Sequence, residues 1–127
     1  MHVPFILQWK GTVKPGVSEA TVCQIDFLAS FAKLTGQPLP HNVDSIDTLD
    51  AFLGRSERGR KELVLEAFRQ LSFRSENWYL VPNISRDGTR RAELFDLSVD
   101  PSQKEDVAAK HPERVEQLLK RLEEIRR

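Results

Sequence analysis

Apolar residues follow several different rhythms along the chain. Val3 to Trp9 (VPFILQW) is a short, nearly continuous apolar run closed by Gly11 and the Pro15-Gly16 turn signal. Such a run predicts a strand buried on both faces, as in a parallel sheet, although a short run alone does not separate strand from helix. The next segment has helical period. Ser18 stands as N-cap with Glu19 at the positive helix end, and the helix runs to about Leu34, with Gly36 to close it and Pro38 beyond. Its apolar residues form two arcs, one of Val22, Ile25, Leu28, Ala29 and Ala32, the other of Cys23, Phe27, Phe31 and Leu34. A narrow polar stripe of Asp26, Ser30 and Lys33 separates them, so this helix wants burial on more than one side. Asp44 or Ser45 then caps a short helix that turns Ile46, Leu49, Phe52 and Leu53 inward and ends at Gly54.

After a polar, basic loop from Arg55 to Lys61, the period falls to that of strands. Leu63 to Phe68, Leu71 to Arg74, Trp78 to Val81 and Ala92 to Leu97 are rich in Leu, Val and aromatic residues. Arg86-Asp87-Gly88-Thr89 carries the Asp-Gly hairpin signal. Leu63 to Leu97 is therefore predicted as an antiparallel sheet. Asp100-Pro101-Ser102-Gln103 resembles a capping box with Pro at the first helical position, so a helix is expected there. A second start follows at Pro112-Glu113. Val115, Leu118, Leu119, Leu122 and Ile125 then give the clearest helical pattern in the chain, supported by Glu116/Lys120 and Glu123/Arg127 at i,i+4 spacing. The expected fold class is α/β in the α+β sense: a small antiparallel sheet packed by a C-terminal helix, plus an N-terminal strand-helix segment. The expected division is residues 1–54 and 55–127.

Composition narrows the function classes. The chain has 127 residues, 39% hydrophobic and 30% charged, a globular composition of single-domain size. Lys plus Arg is 19 and Asp plus Glu is 19, so the basic excess of a nucleic-acid binder is missing and no nucleic-acid partner is expected. No apolar run is long enough to cross a bilayer, and no membrane partner is expected. Met1-His2-Val3-Pro4 lacks the charged start of a signal peptide.

Candidate chemistry is sparse. Cys23, the single cysteine, sits on an apolar helical arc without a neighbouring His, which is the setting of a small buried hydrophobe rather than of a nucleophile. His2, His41 and His111 are dispersed, without zinc spacing. Asp44, Asp47 and Asp50 recur every third residue, which marks a solvated helical face and not the alternating ligands of a calcium loop. Arg55, Arg58, Arg60 and Lys61 form one basic cluster and Arg86, Arg90 and Arg91 another. With Arg74 and Trp78 they are the candidates for facing an anionic or sugar ligand. Trp78 and Tyr79 alternate on a strand, so at most one of them faces a given ligand.

Five blocks in order carry a family resemblance. Val3-Pro4-Phe5-Ile6-Leu7-Gln8-Trp9-Lys10-Gly11 with Val13-Lys14-Pro15-Gly16 comes first. Ile25-Asp26-Phe27-Leu28 through Leu34-Thr35-Gly36 and then Asp44-Ser45-Ile46-Asp47 to Phe52-Leu53-Gly54 follow. Leu71-Ser72-Phe73-Arg74 with Asn77-Trp78-Tyr79-Leu80, and Glu93-Leu94-Phe95-Asp96-Leu97 with Asp100-Pro101 and Asp106-Val107-Ala108, complete the set. Together they resemble the C-terminal region of sulfatases of the arylsulfatase type, in the alkaline-phosphatase-like superfamily. Lys10 departs from the family's Pro, and Gln103 from its Glu. The resemblance implies that the formylglycine nucleophile, made from Cys or Ser in Cys/Ser-x-Pro-x-Arg, lies upstream, since Cys23 is followed by Gln24-Ile25-Asp26-Phe27. It places the calcium ligands and sulfate-binding Lys and His upstream as well, so this chain would hold no cofactor, while calcium is expected in a full-length enzyme. It also implies that Val3–Trp9 belongs to a central sheet completed by a missing N-terminal catalytic half, and that residues 55–127 are a smaller C-terminal subdomain.

The leading expectation is a C-terminal sulfatase fragment, inactive alone, acting on a sulfated glycan or aryl sulfate only as part of a whole enzyme. Such a parent would be periplasmic, extracellular or lysosomal. The alternative is a stand-alone module that holds sulfated glycan through its Arg clusters. An unpaired strand at Val3–Trp9 also raises the expectation of a homodimer through that strand.

Overall fold

The computed structural model describes residues 3–67, 70–84 and 90–126, without the side chains of Ala67, Ile84 and Arg90. The Asp87-Gly88 turn, Arg86, Phe68 and Arg127 lie outside the described residues. The chain divides into two compact units, Met1–Arg60 and Lys61–Arg127.

In the first unit the strand expected at Val3–Trp9 is not formed. No described strand pairs with it, and an extended segment without a ladder leaves its N–H and C=O groups without strand partners. The segment is fixed by its side chains instead. The Phe5 ring lies 6.1 Å from that of Phe27 and 5.7 Å from that of Phe52. The expectation of a dimer through this strand loses its premise with the strand.

The helix expected from Ser18 starts later. A single 3₁₀ turn at Gln24–Asp26 leads into α1, Phe27–Thr35. Residues 18–21 are taken up by the 57–60 segment. The Ser18 hydroxyl and the Glu19 N–H both donate to Glu57 Oε2 at 3.0 Å, and the Arg60 N–H donates to the Thr21 carbonyl at 2.7 Å. A helix from Ser18 would need that carbonyl for the N–H four residues on. The approach is close enough that a Cβ on Gly59 would sit 2.1 Å from the Thr21 oxygen. Gly36 closes α1 as expected, in the left-handed conformation (φ 68°), and Gln37 N–H donates to the Ala32 carbonyl at 2.8 Å.

The short helix α2 spans Leu49–Phe52. Its N-cap position is held by Thr48, not by Asp44 or Ser45, because those two residues are bonded elsewhere. Ser45 Oγ accepts the Ala29 N–H at 2.8 Å, and the Asp44 carbonyl accepts from Arg60 Nη2. Leu49, Phe52 and Leu53 are buried as predicted, but Ile46 is exposed.

The second unit follows the predicted pattern more closely. Strands β1 (Glu62–Ala67), β2 (Gln70–Ser75), β3 (Trp78–Ile84) and β4 (Arg90–Asp96) form one antiparallel sheet in the order β1-β2-β3-β4. The register pairs Val64 with Phe73, Phe73 with Leu80 and Leu80 with Leu94. Period-2 alternation places these residues on one face. Helix α3, Pro112–Ile125, begins with Pro in its first turn as expected and supplies Leu118 and Leu122 to that face. Phe73, Leu80 and Leu94 are fully buried there. Arg121 on α3 clamps the sheet edge, its Nε and Nη2 donating to the Glu62 carboxylate at 2.9–3.1 Å.

The helix expected from Asp100 is absent. Gln103 takes a left-handed conformation (φ 55°), which a helix does not accept. The Asp100 carboxylate still caps backbone donors, accepting the Lys104 and Glu105 N–H groups at 2.6 and 2.8 Å, but within a loop. Asp106 continues this loop along β4, where its Oδ1 accepts the Leu94 N–H at 3.0 Å.

Candidate functional site

The cationic candidates of the first unit play unequal parts. Arg60 is a structural residue. Its Nε donates to Asp26 Oδ2 at 2.9 Å and its Nη2 to Asp26 Oδ1 at 2.7 Å. Asp26 is fully buried, and its Oδ1 also accepts the Ile46 N–H at 3.0 Å. Such a fork-on-carboxylate pair fixes both groups in orientation. The hydrogen bonds that Arg60 donates to Asp26 are the main cause that holds its pKa above the ordinary value. Arg60 therefore rivets residues 44–46 and 57–60 to the start of α1. Arg55 and Arg58 are exposed, and Arg55 Nη1 lies 4.0 Å from an equally exposed Asp50 carboxylate.

In the second unit, Lys61 is exposed and its carbonyl accepts the Glu76 N–H. Arg74 Nε donates to the Glu76 carbonyl at 3.0 Å. Arg74 on β2 and Arg91 on β4 share the sheet face opposite α3, but β3 runs between them and their register rows differ. The Arg90 side chain and Arg86 lie outside the described residues. Trp78 points to the α3 face and Tyr79 to the other, where its hydroxyl bonds Ser72 Oγ at 2.8 Å.

Among the predicted site residues, Trp78 gains neighbours that the sequence did not single out as partners. The His111 ring meets it edge-on at 5.3 Å, and the Arg114 guanidinium lies 5.6 Å from its ring centroid. Lys110, His111, Pro112, Glu113, Arg114 and Gln117 line a shallow depression at the start of α3, so a carboxylate stands among the cations. Lys110 is ion-paired to Glu105 at 2.6 Å, and the Asp96 carboxylate is held below its ordinary pKa chiefly by hydrogen bonds from Ser98, with a smaller part from His111. An aromatic face beside cations can hold a ring carrying negative charge. No local spacing could have revealed this group, because Trp78 and Arg114 are separated by two strands and a loop. Pro112 as helix start does place His111 and Arg114 within one turn.

Cys23 is half-buried at the start of the 3₁₀ turn. Among the described residues no three His, Cys, Asp or Glu side chains converge as metal ligands. No helix among them is long and apolar enough to cross a membrane.

Comparison with known proteins gives the geometry a context. No family model matches the chain. It is 35% identical to the N-acetylgalactosamine-6-O-sulfatase of Bacteroides thetaiotaomicron, over 98% of its own length and 27% of that protein. It is 29% identical to arylsulfatase K of Gallus gallus, over 98% of its length and 25% of that protein. A solved structure from work on the metabolism of multiple glycosaminoglycans by Bacteroides thetaiotaomicron superposes with a TM-score of 0.80 at 34% identity, covering 92% of this chain and 27% of that one. A protein solved in complex with its substrate D-glucosamine-2-N,6-O-disulfate shares the fold at a TM-score of 0.61 and 17% identity, covering 79% of this chain and 23% of that one. The chain thus spans about a quarter of the length of the relatives it matches.

Proposed function

We propose that this chain, which is homologous to sulfatases along a quarter of their length, is the C-terminal, non-catalytic portion of such an enzyme. The observation that carries the reading is the end-to-end similarity to the Bacteroides sulfatase: 98% of this chain is matched inside a protein almost four times longer. On this reading the nucleophile and the calcium site are supplied by the rest of the enzyme, where the metal would stabilise charge on the sulfuryl oxygens. This chain completes the fold and helps wall the cleft that takes a sulfated sugar or aryl sulfate. Residues 55–127 serve as the C-terminal subdomain. The test is turnover of an aryl sulfate with added calcium. The expected rate for this chain alone is the uncatalysed one, and hydrolysis that survives rigorous purification overturns the reading.

A second reading rests on the exposed Arg55, Arg58 and Arg91 and on the Trp78–Arg114 pair: a stand-alone module for sulfated glycan. Retention on immobilised heparin by the chain alone, falling steeply with salt, supports this second reading. Passage through the column in low salt removes it.

A further inference from the structure

Arg114 differs from its cationic neighbours in how it is held. Arg121 is committed to the Glu62 and Glu124 carboxylates, and Lys110 to Glu105. Arg114 has no ion-pair partner among the described residues. Its guanidinium lies 5.6 Å from the Trp78 ring centroid instead, inside the range of a cation–π contact. The indole is a firm support, since it packs against the core under α3 and meets the His111 ring edge-on. A guanidinium held through its flat face keeps its in-plane N–H groups for a ligand. Beside it is the depression at the start of α3, with a volume of about 390 Å³, inside the range of about 300–1,000 Å³ usual for small-ligand sites.

We propose that this depression binds the sulfate group of a sulfated sugar, with Arg114 as the anchor. The proposal rests on the sulfated-glycan reading above, and narrows it from the exposed Arg residues of two units to one guanidinium. The ligand follows from the donors and acceptors present. The Arg114 fork matches two oxygens of an oxyanion. His111 and Gln117 stand at i,i+3 spacing on either side of Arg114 and line the same depression, so polar groups are also offered away from the fork. A carboxylate spends both its oxygens on the fork, whereas a sulfate ester keeps a third for these groups. Glu113 opposes a bare anion but accepts hydrogen bonds from sugar hydroxyls. Lys110 is offset by Glu105, and Arg114 by Glu113, so the site grips through the fixed geometry of one fork and not through a broad positive field.

The test uses the full chain, isotope-labelled for amide and indole N–H shifts. The probes are a chondroitin 6-sulfate tetrasaccharide and the same oligosaccharide stripped of sulfate. The sulfated probe is expected to shift the Trp78 indole and the Arg114 and Gln117 amides saturably, and the stripped probe to bind at least about tenfold more weakly. Arg114→Lys keeps the charge and loses the fork, and should raise the Kd roughly tenfold. Gln117→Ala, at an exposed position, should raise it by about threefold without touching the Trp78 contact. Arg55→Ala with Arg58→Ala should leave it unchanged. The absence of any shift with the sulfated probe overturns the glycan reading and this site together. Shifts confined to the Arg55 and Arg58 amides, and lost with the Arg55→Ala and Arg58→Ala pair, keep the glycan reading and overturn this site alone. Equal binding of the stripped probe overturns sulfate as the group held. Indifference to both Arg114→Lys and Gln117→Ala overturns the anchor, and loss on Glu113→Gln in that case assigns the depression to a cationic ligand.

Discussion

The two units solve the problem of an interior in opposite ways. Lys61–Arg127 closes a core of Phe73, Leu80 and Leu94 under Leu118 and Leu122, and among its described residues leaves two large apolar ones exposed, Val99 and Ile125. Met1–Arg60 exposes eleven, from Val3 to Ile46, while four of its buried residues are polar: Asp26, Ser30, Ser45 and Thr48. One unit hides carbon and displays charge. The other adds a buried ion pair and hydroxyl bonds to a small apolar interior of Leu49, Ala51, Phe52 and Leu53, and displays more carbon. A core of fitted side chains resists through packing, whereas a core of polar bonds resists only while every donor keeps its acceptor. The difference teaches where each unit should be fragile.

The sharpest break lies in the second unit. Phe73→Ala is expected to cost about 3–5 kcal/mol, the usual range for a large aromatic removed from a packed core. Denaturant titration followed by near-ultraviolet dichroism in a Trp9→Phe background, which leaves Trp78 as the single tryptophan, reads it. A loss below about 1 kcal/mol would mean that the site collapses around the vacancy, and that the packed-core description is wrong.

In the first unit the equivalent lesion is polar. Asp26→Ala takes the carboxylate from a largely buried guanidinium, of which 14% of the side chain is exposed, and from the Ile46 N–H. Breaking one side of such a pair costs about 3 kcal/mol. Arg60→Met added to Asp26→Ala should restore part of that loss, since the stranded charge is then gone. No restoration in the double-mutant cycle would show that Asp26 acts through the Ile46 N–H alone. A smaller loss, about 2 kcal/mol, is expected for Gly59→Ala, where the new Cβ meets the Thr21 backbone oxygen rather than a movable side chain. Amide exchange at Arg60 should accelerate in that variant, since its bond to Thr21 must lengthen.

What the sequence disclosed divides along the same line. Leu63 to Leu97 and Val115 to Ile125 are legible because their periods of two and 3.6 are set by burial against partners within the same unit. The 18–34 segment is half legible. Its apolar residues do recur with helical period, but Glu57 and Arg60, more than thirty residues away, claim Ser18, Glu19 and Thr21 first. Val3–Trp9 has the composition of a strand, yet a strand exists only with a neighbour, and composition does not supply one. Asp100 caps backbone donors as its sequence context predicts, but in a loop and not a helix, because two backbone N–H groups can be gathered by a loop as well as by a first helical turn. Among the candidate site residues, Arg60 could not be separated from Arg58 by type or spacing. A charge partner buried 34 positions away decides it. The Trp78–His111–Arg114 group was invisible for the same reason.

The smallest expected effect contrasts the two units by salt. Asp47, in the first unit, is held below its ordinary carboxylate pKa first by its hydrogen bond to the Lys33 ammonium, at 2.5 Å, and Leu49 N–H donates to its other oxygen. Asp100, in the second, is held below its ordinary pKa first by the Glu105 N–H, with Lys104 N–H as a further donor. A depressed folded-state pKa means stabilisation that is complete above the unfolded value of about 3.9 and is lost as pH falls through the folded value. Both units should therefore weaken on the acid side, by less than any substitution above, because both carboxylates are at the surface. The causes differ, however. An exposed ammonium–carboxylate attraction is largely screened at about 1 M salt, while a hydrogen bond from a backbone N–H is not. In an acid titration followed by amide proton shifts, the Leu49 midpoint should rise toward the ordinary value in high salt, and the Glu105 midpoint should stay where it is. Equal movement of both would show that Asp100 depends on nearby Lys104 charge rather than on its two N–H donors. An unmoved Leu49 midpoint would show that the Leu49 N–H, and not Lys33, holds Asp47 ionised.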